Sequence, residues 1–214
     1  MRTRVKICGI TNPTDAEAAV EAGADALGVV LAPGRRQVGI EQASWALRDV
    51  PPFVARVGVF VDAEPAFIAD AVAELGLAAV QFHGRESASA CANAPAPVIK
   101  AFRAGPGRAL SDLAPYRDAV ACILLDTYAP DMHGGTGRTF EWSAYADVVP
   151  TETRLVLAGG LTADNVGTAI KALRPFAVDV SSGVESSPGV KDPALMSAFV
   201  AAVAAADQEV RTHG

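Results

Sequence analysis

No basic block longer than Arg35-Arg36 occurs in this chain, and its 18 Lys and Arg are outnumbered by 24 Asp and Glu, giving a formal charge of -6. That balance argues against a general nucleic-acid binder or an anionic-membrane coat, and leaves a local anion site as the charge-based option. Long hydrophobic runs are missing too. The opening MRTRVKICGI reaches glycine and polar residues before a signal-peptide core can form, and the Ala-rich stretch in 194–206 is too short to span a bilayer. Cysteine is confined to Cys8, Cys91 and Cys122, an odd number without a C-x-x-C pair. Free thiols in a reducing cytoplasm are the simplest reading. The three histidines lie far apart without metal-ligand spacing, so no metal site is expected.

The 214 residues are 50% apolar, enough for one domain, read as spanning 1–214. Short β-branched runs alternate with Ala/Glu-rich segments throughout. Strands are predicted at 5–8, 26–31, 54–61, 78–82, 97–102, 119–126, 154–160 and 176–182. Helices are predicted at 15–22, 41–48, 65–75, 86–93, 108–117, 141–147, 163–173 and 193–209. Eight strand–helix units of about 27 residues each point to an α/β fold, a single-domain (β/α)8 barrel. A doubly wound open sheet is the competing architecture, but its usual G-x-G-x-x-G turn after the first strand is absent.

In such a barrel the chemistry sits at the C-terminal ends of the strands, which turns sequence position into a filter. Cys8 ends the first predicted strand and is either a small buried filler or a thiolate base or nucleophile. Asp126 ends the sixth, where an apolar rim favours the protonated acid, unless it merely anchors a loop. Asp179 either points into the mouth or binds backbone groups. Lys100 is a positioned charge or a Schiff-base lysine. The loops after the last two strands, AGGLTADN and SSGVESSPG, offer bare N–H groups and serine hydroxyls where these barrels often hold phosphate.

The ordered motifs KICGIT (6–11), VGVFVD (57–62), VQFHG (80–84), ILLDT (123–127), GGTGRTFEW (134–142), LAGGL (157–161) and VDVSSGVESSPGVKD (178–192) resemble the phosphoribosylanthranilate isomerase family of tryptophan biosynthesis. The likeness runs from about Lys6 to Asp192. It implies an Amadori rearrangement of a phosphosugar–anthranilate substrate without metal or organic cofactor. By the same resemblance Cys8 is the general base and Asp126 the general acid. Gly160, Ser182 and Gly183 hold the phosphate, Asp179 orients the sugar, and Arg36 meets the anthranilate carboxylate, a planar anion suited to guanidinium. Two departures stand out. The loop after the second strand, Pro33-Gly34-Arg35-Arg36-Gln37, lacks the family's serine and lets Arg35 share or take Arg36's role, and Arg138 replaces a frequent lysine. The related histidine-pathway barrels carry aspartate at the Cys8 position, so Cys8 argues against that activity. Intact Cys8 and Asp126 argue against a barrel reduced to a scaffold. A monomer or a homodimer is expected, with no nucleic-acid or membrane partner.

Overall fold

The computed structural model describes residues 2–103, 113–126 and 154–213. The helix expected at 141–147, the first part of that expected at 108–117, and the GGTGRTFEW segment with Arg138 lie outside them. Eight strands pair in parallel and in chain order: β1 (Arg4–Cys8), β2 (Ala26–Val30), β3 (Ala55–Phe60), β4 (Ala79–Phe82), β5 (Val98–Arg103), β6 (Cys122–Asp126), β7 (Leu155–Ala158) and β8 (Ala177–Val180). β8 returns to β1, with Arg4 opposite Ala177 and Ile7 opposite Val180, and the sheet closes. The open-sheet alternative is excluded. The described α-helices are α1 (Pro13–Glu21), α2 (Ile40–Leu47), α3 (Pro65–Leu75), α4 (Ala88–Ala92), α5 (Val166–Leu173) and α6 (Pro193–His213).

Local chemistry sets the boundaries. Asn12 caps α1 by accepting from Asp15 N–H, and Pro13 opens it, where a missing N–H costs nothing. Pro65 likewise opens α3, and Gly76 ends it at φ 58°, the left-handed conformation glycine adopts without strain. α5 begins three residues later than the sequence pattern suggests. Asn165 there accepts from Thr162 N–H, which closes a turn ahead of the helix.

Side-chain alternation divides each strand between two environments. Outward residues such as Ile7, Leu27, Phe60, Val80, Leu125, Leu157 and Val178 pack under the helices in the main core. Inward residues Ala101, Cys122, Leu124, Val156, Ala158 and Ala177 fill the barrel itself. Cys122 is thus core, as its apolar run implied. Cys91 of α4 is buried in the outer core.

Two stretches depart from the sequence reading. The eighth strand stops at Val180 instead of Ser182, because Ser182–Val184 turns in a 3₁₀ helix. A hairpin of β9 (Glu185–Ser187) and β10 (Val190–Lys191) follows, turned by Pro188 and Gly189, the latter at φ 85°. The Ser-Pro-Gly signal for that turn is visible in the sequence, but three-residue strands are too short to carry a periodic pattern.

The far end of the barrel is tied by Asp207 of α6, whose carboxylate accepts from Thr3 N–H at 2.6 Å and Thr3 Oγ1 at 2.7 Å. Asp207→Ala is expected to lower the unfolding free energy by about 2–3 kcal/mol, the loss of charged hydrogen bonds from buried donors. The urea midpoint would fall at unchanged slope. An unmoved midpoint would mean that strand pairing alone holds the N-terminus.

Candidate active site at the barrel mouth

A cavity of about 720 Å³ opens at the C-terminal ends of the strands. Its wall includes Cys8 from β1, Gln81 from β4, Asp126 from β6, and Asp179 from β8, with His83 just past β4. Arg36, Gly160, Ser182 and Gly183 line the same space. Every residue singled out for the resemblance therefore meets at one mouth, drawn from positions 8 to 183. Arg35 also borders it.

On the β1–β8 side, Lys6 Nζ donates to Asp179 Oδ1 at 2.8 Å with both side chains buried. Asp179 does point into the mouth, with one oxygen committed to this lysine. Burial works against the Lys6 ammonium, but Asp179 and Cys8 more than offset it, and the net shift is upward. For Cys8 the balance tips the other way. Burial pushes its thiol up, and Lys6 and Lys191 only partly pull it back. The resting group is therefore the thiol.

Across the barrel, the Gln81 amide donates to His83 Nδ1 at 3.2 Å. The other ring nitrogen, Nε2, lies 3.3 Å from Asp126 Oδ2. Gln81 is 2% exposed, and its Oε1 has no partner among the described residues. In the sequence Gln81 and His83 stand in the VQFHG motif with no work assigned to them. Their arrangement holds Asp126 from behind, and the Q-x-H spacing alone gives no hint of it.

Arg36 is not a free cation. Its Nε and Nη2 both donate to Glu185, at 2.6 Å each, and Lys191 Nζ donates to the same carboxylate at 2.8 Å. Lys191 also donates to Ser181 O at 3.1 Å. Burial would raise the Glu185 carboxyl, yet the two cations outweigh it and hold it below the ordinary glutamate value. This bidentate clamp went unread in the sequence because it joins residues 149 positions apart. Glu185 fixes the plane of Arg36 and leaves Nη1 toward further acceptors.

The last two loops meet at Gly183. A Cβ there would stand 1.8 Å from Leu161 O, so the two loops approach as closely as they do only through glycine. Gly160 sits at φ 63° with open space where a side chain would be. Among the described residues, the N–H groups of Gly160, Ser182 and Gly183 have no acceptor. Lys100, by contrast, faces away from the mouth. Its Nζ donates to Gly84 O at 2.8 Å and Glu86 Oε2 at 2.9 Å, a buried tie on the loop after β4. That corrects the Schiff-base option.

The model of the N-(5'-phosphoribosyl)anthranilate isomerase family matches residues 5–202. The chain belongs to that family. A Geobacter sp. (strain M21) N-(5'-phosphoribosyl)anthranilate isomerase is 50% identical over 200 residues, 93% of this chain and 97% of its own. The crystal structure of phosphoribosyl anthranilate isomerase from Thermotoga maritima superposes with a TM-score of 0.85 at 45% identity, covering 95% of this chain and 99% of its own. Another solved family structure is in complex with reduced 1-(o-carboxyphenylamino)-1-deoxyribulose 5-phosphate, with TM-score 0.82, 42% identity and the same coverage. Among the described residues no helix is long and apolar enough to cross a membrane.

The clamp carries a pH signature. Glu185 has a lowered native value, so its contribution is complete above about pH 4.5, the ordinary carboxyl value. It is lost as pH falls through the native value. Glu185→Gln is expected to cost about 2 kcal/mol at pH 7 and to flatten the acid limb of stability. Urea titrations between pH 7 and pH 3 read both, and an unchanged acid limb would show that the clamp contributes nothing.

Proposed function

We propose that Cys8 and Asp126 act as the base and acid of the family's reaction at this mouth. The substrate is N-(5'-phosphoribosyl)anthranilate and the product 1-(2-carboxyphenylamino)-1-deoxyribulose 5-phosphate. The chain performs this isomerisation step of tryptophan biosynthesis. The observation that carries the residue assignment is that a thiol and a carboxyl end β1 and β6 and open onto one cavity with an anion-binding rim.

Asp126 protonates the furanose ring oxygen, the ring opens, and that proton stays on the released hydroxyl. Cys8 then removes the C2′ proton, giving an enolamine; the Cys8 thiol protonates C1′ and the C2′ hydroxyl proton passes to Asp126, which forms the ketone and returns both groups to their starting states. No atom is gained or lost. Asp126 must begin protonated, and Cys8 must give up its thiol proton before it can act as base; the two sit in different surroundings, Asp126 beside the His83 ring and Cys8 beside the Lys6 ammonium. Gly160, Ser182 and Gly183 present N–H groups to the phosphate. Asp179 uses its second oxygen for a sugar hydroxyl, and Arg36, held by Glu185, turns its outer donors to the anthranilate carboxylate.

Cytoplasmic operation is part of the proposal, supported by three cysteines that are buried and free. So is a homodimer. The Thermotoga maritima relative is dimeric, and Phe53, between α2 and β3, is 97% exposed here. Sedimentation equilibrium would return twice the chain mass if so, and Phe53→Glu would halve it.

The deciding assay generates phosphoribosylanthranilate in situ and follows loss of its fluorescence. Cys8→Ala and Asp126→Asn are each expected to slow turnover by roughly 10²–10⁴-fold. Wild-type-like rates in either variant would remove that residue from the mechanism.

A further inference from the structure

We propose that Lys6 is a positioning residue for this reaction, an ammonium held by Asp179 against the sulfur of Cys8, and that Gly28 is glycine to make room for both. The inference rests on the reading of Cys8 as base. Its geometry is independent of that reading. Lys6 and Cys8 are two residues apart on β1, so both point into the barrel. Gly28 of β2 stands opposite Cys8 in the sheet register. A Cβ on Gly28 would lie 2.8 Å from Cys8 Sγ, 3.0 Å from Lys6 Nζ and 3.1 Å from Lys6 Cε. Any side chain there would drive the two functional groups off their seats. The carbonyl of the same residue accepts from Gly9 N–H at 2.8 Å and Ile10 N–H at 2.9 Å, which fixes the turn that follows Cys8.

Lys6 is placed for the sulfur as well as for its ion-pair partner. A buried ion pair adds little to stability over a well-packed apolar pair. The charge census around Cys8 gives this one a use. Lys6 on β1, Lys191 on β10 and Arg36 after β2 bring three positive charges, while Asp179 on β8 and Glu185 on β9 bring two negative ones. One net positive charge remains for a thiolate, and Lys6 is the cation on its own strand. Deprotonation of Cys8 completes the balance. Without Lys6 the same site carries no net charge, and Asp179 faces the sulfur uncompensated.

The test uses the full chain and two readouts. The first is the rate of Cys8 alkylation by iodoacetamide against pH, resolved from Cys91 and Cys122 by peptide mass. The second is the pH profile of kcat/KM. Lys6→Met is expected to move both upward by about one pH unit, equivalent to about a tenfold slower reaction at a fixed pH below the midpoint. Lys6→Arg, which keeps the charge, should recover most of that loss. Gly28→Ala keeps every charge but displaces the pair, and should shift alkylation in the same direction if Lys6→Met fails to fold. A folded Lys6→Met or Gly28→Ala chain with the wild-type alkylation profile overturns the inference, even if turnover falls uniformly at all pH values. Undiminished turnover by Cys8→Ala overturns it by a different route, since it removes the base itself. Alkylation reads Lys6 against Cys8 without turnover, so the two failures are distinguishable.

Discussion

The seam between β1 and β8 is the constraint on which the rest of this molecule depends. It is where the first and last strands must find each other across almost the whole chain, and Lys6 stands opposite Asp179 in that register. A slip of one residue would turn Lys6 toward the helices and bring an apolar neighbour inward. The ion pair therefore reports correct closure, but closure does not require it. Removing one partner of such a buried pair costs about 3–5 kcal/mol, whereas replacing both with apolar residues is often neutral. A barrel selected for stability alone had the apolar option, as the interior layer of Ala101, Leu124, Val156 and Ala177 below it shows.

Charge at the mouth follows a common pattern. Three cations at or just below the mouth are backed by carboxylates: Lys6 by Asp179, and Arg36 and Lys191 together by Glu185. Backing serves two ends. It compensates part of the desolvation penalty of a buried cation and holds a flexible side chain in one rotamer before substrate arrives. A substrate carrying both phosphate and carboxylate then meets donors that need little further ordering. The Glu185 clamp also joins the loop after β2 to the hairpin after β8.

Much of the fold was legible because parallel strands buried on both faces leave continuous apolar runs, and helix ends leave capping residues. The seven ordered motifs, the eight units and the placing of Cys8 and Asp126 at strand ends all came from position along the chain. Boundaries were less legible. α5 starts late because a side-chain hydrogen bond from Thr162 to Asn165 competes with the helix, and β8 stops early because Gly183 must pass against Leu161 O. Neither contact has a periodicity. Lys100 shows the same limit: as a strand lysine it was compatible with the mouth, yet alternation and Glu86 place it outside the barrel.

By itself, then, the sequence determined which residues reach the mouth, since a strand period of two and eight repeated units dictate that from local pattern alone. Family membership was equally a matter of sequence, carried by spacing and order. Only the tertiary structure decided what those residues do to one another. That Lys6 pairs with Asp179, that His83 meets Asp126, and that Glu185 takes the fork of Arg36 are facts about side chains 43 to 173 positions apart in the chain, brought within about 3 Å. Such pairs are made by barrel closure, and electrostatic interaction at that range is governed by distance and burial, which no linear spacing encodes.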